Sequence, residues 1–300
     1  MTPDAATVDV ASGEAALTET VGAVEIARDV VLAVGTDAAT FLQGQLSTDL
    51  AVMADGDSSW TLVLQPQGKI DVHGRVTRRA ADDFVLDVDA GWGDRLLERL
   101  SRFLLRVDCT LTPVRWQAVA LRGPASASVA ATAEVDAAVD WPGSVGRDLL
   151  GPEVTVGDAT WCPPEALEIV RIAAGVARMG SEMDDSTIPA AAGVVAGSVS
   201  FTKGCFVGQE LVARIDSRGG NTPERLCGVV GDESLMPGAV LRAGGIEVGR
   251  VTSAATSPGR GATIALAYIK RAVEPPVDVL VGTDGSDAAV ARVVALPIGE

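Results

Sequence analysis

The sequence predicts an α+β protein that ends in a small β barrel or sandwich. Its 300 residues correspond to about two domains at roughly 150 residues each. Helical and strand patterns are mixed as far as residue 222, whereas after Pro223 only short apolar runs remain, separated by turns rich in Gly, Pro and Asp. We therefore expect a larger domain over residues 30–222 and a barrel domain over residues 223–300. The barrel runs are Leu226–Val230, Val240–Leu241, Ile246–Ser253, Ala262–Ile269, Val277–Val281 and Val290–Val294.

The composition excludes several classes of protein. Lys and Arg number 24 against 40 Asp and Glu, so the formal net charge is −16. This acidity argues against a general nucleic-acid binder, because phosphate contacts need a basic surface. The hydrophobic fraction of 47% is typical of globular chains, and no apolar run reaches the ~18 residues that span a bilayer. The single histidine, His73, excludes the multi-histidine zinc sites.

The first 29 residues are acidic, and Arg28 is their only cation. We expect residues 1–29 to be a mobile leader. They carry neither the positive n-region nor the apolar h-region of a secretory signal. The four cysteines lie far apart and show no metal-binding spacing, so we expect reduced thiols in a cytoplasmic protein with no metal site of its own.

The elements of the larger domain follow in order. A first strand is predicted near Val30–Val34, and a helix starts at Thr36-Asp37, where a side-chain oxygen can cap free N–H groups. Further strands are predicted at Trp60–Leu64, Val72–Thr77, Phe84–Val88 and Val114–Leu121, and further helices at Arg95–Arg106, at Pro124-Ala125-Ser126 and from Pro163-Pro164-Glu165. Residues 134–160 show no clear pattern, and residues 181–202 show few regular signals.

The predicted helix Arg95–Arg106 repeats arginine at helical spacing opposite its apolar side. A solvated face is the favoured interpretation, since long cationic side chains commonly cover helix surfaces. A landing surface for an anionic tail or an acidic partner is the alternative.

The segment Thr202–Arg214 carries the most reactive group of side chains. Gly204 and Gly208 allow tight backbone geometry and the close approach of a ligand. The helical pattern begins two residues after Cys205, which places this thiol near a helix N-terminus, where the dipole favours the thiolate. Lys203 adds a nearby cation. The alternative is a helix start with a buried, inert cysteine.

The helix after this turn begins with Gln209 and Glu210. An acid in the first turn suits the helix dipole, and Arg214 lies four residues after Glu210, where it can pair with it. Residues 201–225 are locally positive in an otherwise acidic chain. This local excess of positive charge would favour an anionic ligand, although the ordinary variation of charge along a sequence explains it equally well.

The run Lys203-Gly204-Cys205-Phe206-Val207-Gly208-Gln209-Glu210 resembles the K-G-C-[YF]-x-G-Q-E signature of the YgfZ-type folate-binding proteins. These are relatives of the glycine-cleavage T-protein, an aminomethyltransferase, and are implicated in iron–sulfur cluster assembly or repair. The resemblance extends from about Val30 to Val294. It includes Phe41–Asp49, Gln65–Lys69, Arg171-Ile172, Thr187–Pro189, Gly249–Ser253 and Ala265–Ile269.

The resemblance implies a T-protein-like folate-binding fold, with subdomains around a central cavity and a β barrel at the C-terminus. It implies a reduced folate in that cavity, with Lys203 and Cys205 facing it. Arg171 becomes a candidate for binding the tail carboxylates, with an ordinary helix-surface arginine as the alternative. The other binding residues that it implies are Gly204, Gly208, Gln209, Glu210, Arg214 and Asp49.

Departures from the T-protein bear on the reaction. The T-protein carries paired aspartates after its hairpin turn, whereas Gly68–His73 holds only Asp71, which is out of register. We therefore do not expect aminomethyl transfer, and the cysteine of the signature favours the YgfZ branch. We expect His73 to be a satisfied structural histidine rather than a general base.

Three functions follow from these patterns. The first is a tetrahydrofolate-binding accessory protein for iron–sulfur cluster assembly or repair. Its functional thiol would be Cys205, which would hold a cluster only transiently, and its partners would be client or assembly proteins rather than nucleic acid or membrane. The second is a tetrahydrofolate-dependent aminomethyl or one-carbon transferase. The third is a cysteine-based redox protein in which Cys227 approaches Cys205.

Overall fold

The computed structural model describes residues 7–283 and 286–299. The first half of the chain alternates helices with strands. It contains α1 (Val10–Glu19), β1 (Gly22–Glu25), β2 (Arg28–Val34), α2 (Ala38–Gln45), β3 (Ser58–Leu64), β4 (Ile70–Ala80), β5 (Asp83–Asp89), α3 (Gly93–Ser101), β6 (Thr110–Val114) and β7 (Gln117–Arg122).

The second half completes a second sheet and then forms the barrel. It contains β8 (Ala131–Thr132), β9 (Val135–Trp141), β10 (Ser144–Gly151), β11 (Thr155–Val156), β12 (Thr160–Trp161), α4 (Pro164–Ala174), α5 (Val195–Ser198), α6 (Gln209–Asp216), β13 (Glu224–Gly231), β14 (Val240–Ala243), β15 (Ile246–Ser257), β16 (Ala262–Lys270), β17 (Val277–Thr283) and β18 (Ser286–Val294). One-turn 3-10 helices cover Leu50–Val52 and Ser126–Ser128.

The first sheet has the strand order β3-β4-β5-β2-β6 and is antiparallel throughout. Helices α2 and α3 contribute Phe41, Leu42 and Leu100 to the apolar cluster that covers it. Burial of these side chains is what holds the helices on the sheet, at roughly 1.5–3 kcal/mol for each large side chain. Helix α3 ends at Ser101, before the predicted Arg106, because the chain turns and Arg106 itself has a φ of 61°.

The second sheet has the order β12-β1-β7-β10-β9, and only the β1–β12 pair is parallel. Residues 134–160, which showed no clear pattern, contain β9 and β10, the two strands at the end of this sheet opposite β12. Their signal is weak because β9 buries alternate small residues, Val135, Ala137 and Val139, rather than a conspicuous apolar run.

The prediction of a mobile acidic leader is wrong for residues 7–29. Helix α1 packs on α4, and β1 pairs with both β7 and β12 inside the second sheet. Leu17 and Val24 are fully buried, and Asp9 caps α1 by accepting a hydrogen bond from the Ser12 N–H. The high acid content misled the prediction because Asp9 caps a helix and Glu19 and Glu25 are exposed, whereas Glu14 is buried.

The C-terminal strands close into a barrel in the order β13-β16-β15-β14-β17-β18. This confirms the α+β class with a C-terminal β barrel. The barrel's first strand begins at Glu224, two residues beyond the position where the sequence pattern changes. Helix α4 packs on its outside through Ile169 and Ile172, which contact Ile264 and Leu266. No helix in the described ranges is both long enough and apolar enough to cross a membrane.

Candidate functional site

A central cavity of about 740 Å³ is lined by both sheets, by α4 and by residues of the 176–198 stretch. Its wall mixes two tryptophans with four arginines and five carboxylates. The aromatic side chains are Trp60 and Trp141. The charged ones are Arg28, Arg122, Arg171, Arg178, Glu25, Asp89, Asp140, Asp148 and Glu168. Pockets of this size that combine flat apolar surfaces with a few polar groups are the usual sites for small organic ligands.

One wall of the cavity is a flat stack of two rings. Trp60 and His73 lie with centroids 5.1 Å apart and ring planes 12° from parallel. Neighbouring strands β3 and β4 place both side chains on the same face of the first sheet. His73 Nε2 lies 3.1 Å from Ser198 Oγ, and burial lowers the pKa of His73 to about 4, so its ring is neutral near pH 7. The expectation of a hydrogen-bonded histidine agrees with this geometry, but the ring also faces the cavity.

A buried chain of ion pairs forms part of the cavity wall. Asp87 joins Arg28 at 2.8 Å to Arg75 at 2.9 Å, and Asp148 joins Arg75 at 3.0 Å to Arg122 at 2.8 Å. Burial would raise the pKa of Asp148, but Arg122 and Arg75 offset it and hold that pKa below its usual range. Because each carboxylate serves two cations, these side chains are held rigidly and fix the shape of the cavity.

Arg171 lines the cavity but is committed to protein acceptors. Its guanidinium donates to both oxygens of Glu168, to the carbonyl of Val176, and to Glu182 at 2.9 Å. Only 5% of the residue is exposed. Arg171 is therefore not the helix-surface arginine of the alternative. It ties α4 to the chain that follows it, and its binding of tail carboxylates stays a prediction.

The more accessible cation of this wall is Arg178, which the sequence analysis did not single out. Its side chain is 43% exposed and pairs with Glu168 at 3.1 Å. Nothing in its sequence context separates it from an ordinary surface arginine. Arg171 holds Glu168, and Glu168 in turn holds Arg178 at the cavity wall.

The signature segment lies apart from this cavity. Cys205 is exposed in the loop that precedes α6, four residues before the helix begins at Gln209. The other three cysteines are buried, and Cys227 belongs to the apolar core of the barrel. Cys205 is not among the residues that line the central cavity, so the expectation that it faces the cavity is wrong.

Lys203 is likewise not among the residues that line the cavity. Its ammonium group donates to three backbone carbonyls at the end of α2 and just beyond, those of Gln43, Leu46 and Thr48, at 2.6, 2.6 and 2.8 Å. Carbonyls at a helix C-terminus lack helical partners and attract a cation, which explains this position. Burial lowers the pKa of Lys203 to about 8, and the nearby charge of Asp49 opposes that shift.

Asp49 belongs to the same cluster and not to the cavity wall. It accepts hydrogen bonds from Gln43 Nε2 at 2.8 Å and from the Ala51 N–H at 3.1 Å. Gln43 in turn accepts from the Leu50 N–H. The sequence analysis named Asp49 only as a folate-binding residue. The structure places it near Lys203 in this cluster, and its role in binding stays a prediction.

Gly208 has a positive φ of 81° and fits closely against the hairpin turn at Gly68. A Cβ at Gly208 would come within 2.6 Å of the Gln65 carbonyl, and a Cβ at Gly68 within 2.7 Å of Leu211. The signature Lys203–Glu210 and the hairpin turn Gln65–Lys69 therefore pack on each other. Gly204 has no such constraint, since a Cβ there would meet nothing within 4 Å.

The remaining predicted binding residues lie on α6. Gln209 accepts from the Phe206 N–H at 3.3 Å, and Glu210 pairs with Arg214 at 2.9 Å on the exposed face, as the spacing predicted. None of the three lines the central cavity. Among the described residues, no group of three or more His, Cys, Asp or Glu is placed to hold a metal ion.

The arginines of α3 have partners of their own. Asp71, buried on β4, pairs with Arg95 at 2.6 Å and with Arg99 at 3.2 Å, and Arg99 is itself buried. The solvated-face interpretation is therefore wrong for Arg99. Arg99 is buried because it pairs with Asp71 on β4, beneath the helix. The helical pattern in the sequence gives no indication of this carboxylate.

Comparison with known families matches both parts of the chain. Residues 7–142 match the GCVT N-terminal domain, and residues 224–298 match the glycine cleavage T-protein C-terminal barrel domain. Among solved structures, the glycine cleavage system aminomethyltransferase T from Bartonella henselae superposes with a TM-score of 0.80. That match covers 96% of this chain and 89% of the other at 19% identity, which bears on the fold alone.

Curated relatives divide between two functions. An iron–sulfur cluster assembly factor IBA57 homolog from Pyricularia oryzae is 30% identical over 64% of this chain and 53% of its own length. An aminomethyltransferase from Streptomyces coelicolor is 27% identical over 88% of this chain and 82% of its own. An uncharacterized protein from Haemophilus influenzae is 27% identical over 62% of this chain, and the match spans 65% of that protein, just under two thirds.

Proposed function

The chain belongs to the YgfZ-type branch of the glycine cleavage T-protein superfamily, and on that premise we propose that it binds a tetrahydrofolate in its central cavity and assists iron–sulfur cluster assembly or repair through Cys205. The observation that carries the proposal is the separation of its two parts. The cavity is of ligand size, and the exposed thiol of Cys205 is not among the residues that line it.

The cavity's residues fit a folate. The Trp60–His73 stack offers a flat surface for a pterin or aminobenzoyl ring, and Arg178 offers a cation for a glutamate carboxylate. A tetrahydrofolate supplies a reduced pterin that can carry one-carbon units, and the protein's own part is to bind and orient it.

Cys205 is the thiol best placed to act on a partner. It is exposed, and it follows a short stretch of chain that starts at the cavity wall with Ser198 and passes the anchored Lys203. One cysteine supplies one thiolate, whereas an iron–sulfur cluster is normally held by several. The cluster would therefore be cargo, shared with a client or assembly protein that provides the other ligands.

The second candidate function is aminomethyl or one-carbon transfer. The aminomethyltransferase relatives cover most of this chain, and the carboxylate of Asp89 lines the cavity close enough to His73 to affect its pKa. Against transfer, Asp71 is held by Arg95 and Arg99 outside the cavity, and Asp89 is tied to Arg28 at 2.5 Å. Turnover with an aminomethyl donor on a lipoyl carrier would favour this candidate.

The test is complementation of cells that lack the native protein, read out as the activity of iron–sulfur enzymes. Cys205→Ala should lose this support, because no other described cysteine is exposed. Thr202→Ala, an equally exposed change three residues earlier, should keep it. Full support from Cys205→Ala would contradict the proposed role of the thiol.

A further inference from the structure

We propose that His73 is a ligand-binding residue of the central cavity, and that its Nδ1–H donates one hydrogen bond to an uncharged acceptor on the planar head of the bound molecule. For a folate, that acceptor is a carbonyl oxygen or a ring nitrogen of the pterin. The inference rests on the proposed function and adds to it the residue that holds the head of the ligand.

One edge of the His73 ring is already fixed by the protein. Its Nε2 lies 3.1 Å from the Oγ of Ser198, the last residue of α5. The carbonyl of Ser198 accepts a hydrogen bond from Ser47 Oγ at 2.5 Å, and Ser47 Oγ accepts in turn from the Leu62 N–H at 2.8 Å. Leu62 lies opposite His73 in the β3–β4 pair. The ring is therefore held in one orientation by its own strands and by α5.

The other edge of the ring is open to the cavity. His73 lines the cavity, and 8% of the residue is exposed. Over the described ranges Nδ1 has no hydrogen-bond partner, yet it is not one of the fully buried polar atoms that lack one. A ligand atom can therefore reach Nδ1, whereas Ser198 occupies Nε2.

The serine determines which ring nitrogen carries the proton. The ring is neutral near pH 7, because burial lowers the pKa of His73 to about 4, so only one nitrogen is protonated. Ser198 is 3% exposed, and among the described residues Nε2 is the only acceptor within hydrogen-bond distance of its hydroxyl. Because a buried hydroxyl needs an acceptor, it donates to Nε2, and the ring proton is left on Nδ1.

The charge and the depth of this donor select the head of the ligand. A neutral N–H has no net charge to attract a carboxylate, whereas Arg178, with a side chain 43% exposed, supplies a cation nearer the solvent. Burying a carboxylate without a cation is costly, so the charged tail of a folate belongs at the exposed end. The uncharged head then takes the deep end, beside His73.

The stack with Trp60 indicates how the head lies. The Nδ1–H bond is in the plane of the imidazole ring, which is only 12° from the plane of Trp60. A flat heterocycle that accepts this bond at its edge can lie nearly parallel to both rings, an arrangement that aromatic groups favour. Within a folate, only the pterin is a heterocycle with acceptors along its edge.

The test is calorimetric titration of tetrahydrofolate into wild type, His73→Asn and His73→Gln. The amide nitrogen of asparagine reaches the place of Nδ1 and keeps its donor, whereas that of glutamine reaches the place of Nε2 and keeps the contact with Ser198. We expect His73→Gln to bind tetrahydrofolate about 10-fold or more weakly than His73→Asn, because it lacks the donor to the ligand.

A purely structural role through Ser198 predicts the opposite order of the two variants. Equal affinities, or tighter binding by His73→Gln, would overturn the inference and leave the proposed function standing. Absence of binding to wild type would overturn both.

A second measurement on the wild-type protein covers the case in which the variants do not fold. His73 is the only histidine of the chain, so the nitrogen-15 signals of its ring are assigned without mutation. We expect these spectra to show the proton on Nδ1, and 6-methyltetrahydropterin, which is the head alone, to shift that signal. The tail fragment p-aminobenzoylglutamate should leave it unchanged. A proton on Nε2, a signal that the pterin leaves unmoved, or an equal shift by the tail fragment would overturn the inference.

Discussion

Single residues in this protein have roles that their types do not disclose. Lys203 stands in the signature beside the thiol, which suggests a ligand contact, yet its ammonium group binds three main-chain carbonyls. Arg171 similarly holds Glu168 and Glu182. In both cases a long cationic side chain satisfies groups that folding would otherwise leave buried without partners. Arg178 lines the cavity with a 43% exposed side chain, although it too donates to Glu168 and Ser181.

His73 should make stability depend on pH. The pKa of its ring falls from 6.5 in the unfolded chain to about 4 in the fold, because burial disfavours the charged form. Between these values the unfolded chain binds more protons, so stability is lost as the pH falls from about 6.5 to about 4, by about 3 kcal/mol in total.

The measurement for His73 is urea unfolding of wild type and His73→Asn at about pH 7 and about pH 4. Other groups titrate in both proteins, so the comparison isolates the histidine. We expect wild type to lose more stability than the variant across this interval. Equal losses would mean that His73 is not buried as a neutral ring.

At the scale of elements, the signature segment packs against the hairpin turn between β3 and β4. Gly208, the N-cap of helix α6, touches the turn at Gly68 between β3 and β4. Lys203 joins the same segment to the end of α2. The loop that presents Cys205 is therefore fixed on both sides, which suits a thiol that must meet a partner at a defined place.

Gly208→Ala should destabilise the protein by about 2 kcal/mol or more. A φ of 81° is unfavourable for alanine, and its Cβ would collide with the Gln65 carbonyl. Gly204→Ala is the matched control, because its Cβ would meet nothing, and it should change stability by no more than about 0.5 kcal/mol. The denaturant midpoints of the two variants, each compared with wild type, measure these losses of stability. Equal losses in the two variants would contradict the close packing at Gly208.

At the scale of the whole molecule, two buried carboxylates connect the sheets to the barrel. Glu182 accepts hydrogen bonds from Thr252 at 2.8 Å and Ser253 at 2.5 Å, while Glu14 accepts from Ser257. All three hydroxyls lie on β15. Together with the contact of α4 on the barrel, these bonds hold the wall of the cavity formed by α4 and its following chain.

Much of this architecture was predictable from the sequence. Apolar periodicity located most strands and helices, and the change of pattern at residue 222 marked the barrel. The β9–β10 hairpin was missed because small residues such as Ala137 and Gly146 carry little hydrophobic signal. The position of α1 was missed because its acids resembled a solvated tail.

The site was less predictable, for a physical reason. The cavity is assembled from side chains far apart in the sequence, such as Trp60, Arg122 and Arg178, and no local spacing connects them. The signature, which is local, identified the thiol segment and its neighbours. It gave no information on how far that segment lies from the cavity.

The central claim is that folate and thiol use separate sites, and one titration tests it most directly. Tetrahydrofolate should bind wild type, Cys205→Ala and Lys203→Met saturably, with one equivalent and equal affinity in folded protein, because neither residue lines the cavity. Loss of binding in Cys205→Ala or Lys203→Met, or no binding to wild type, would contradict it.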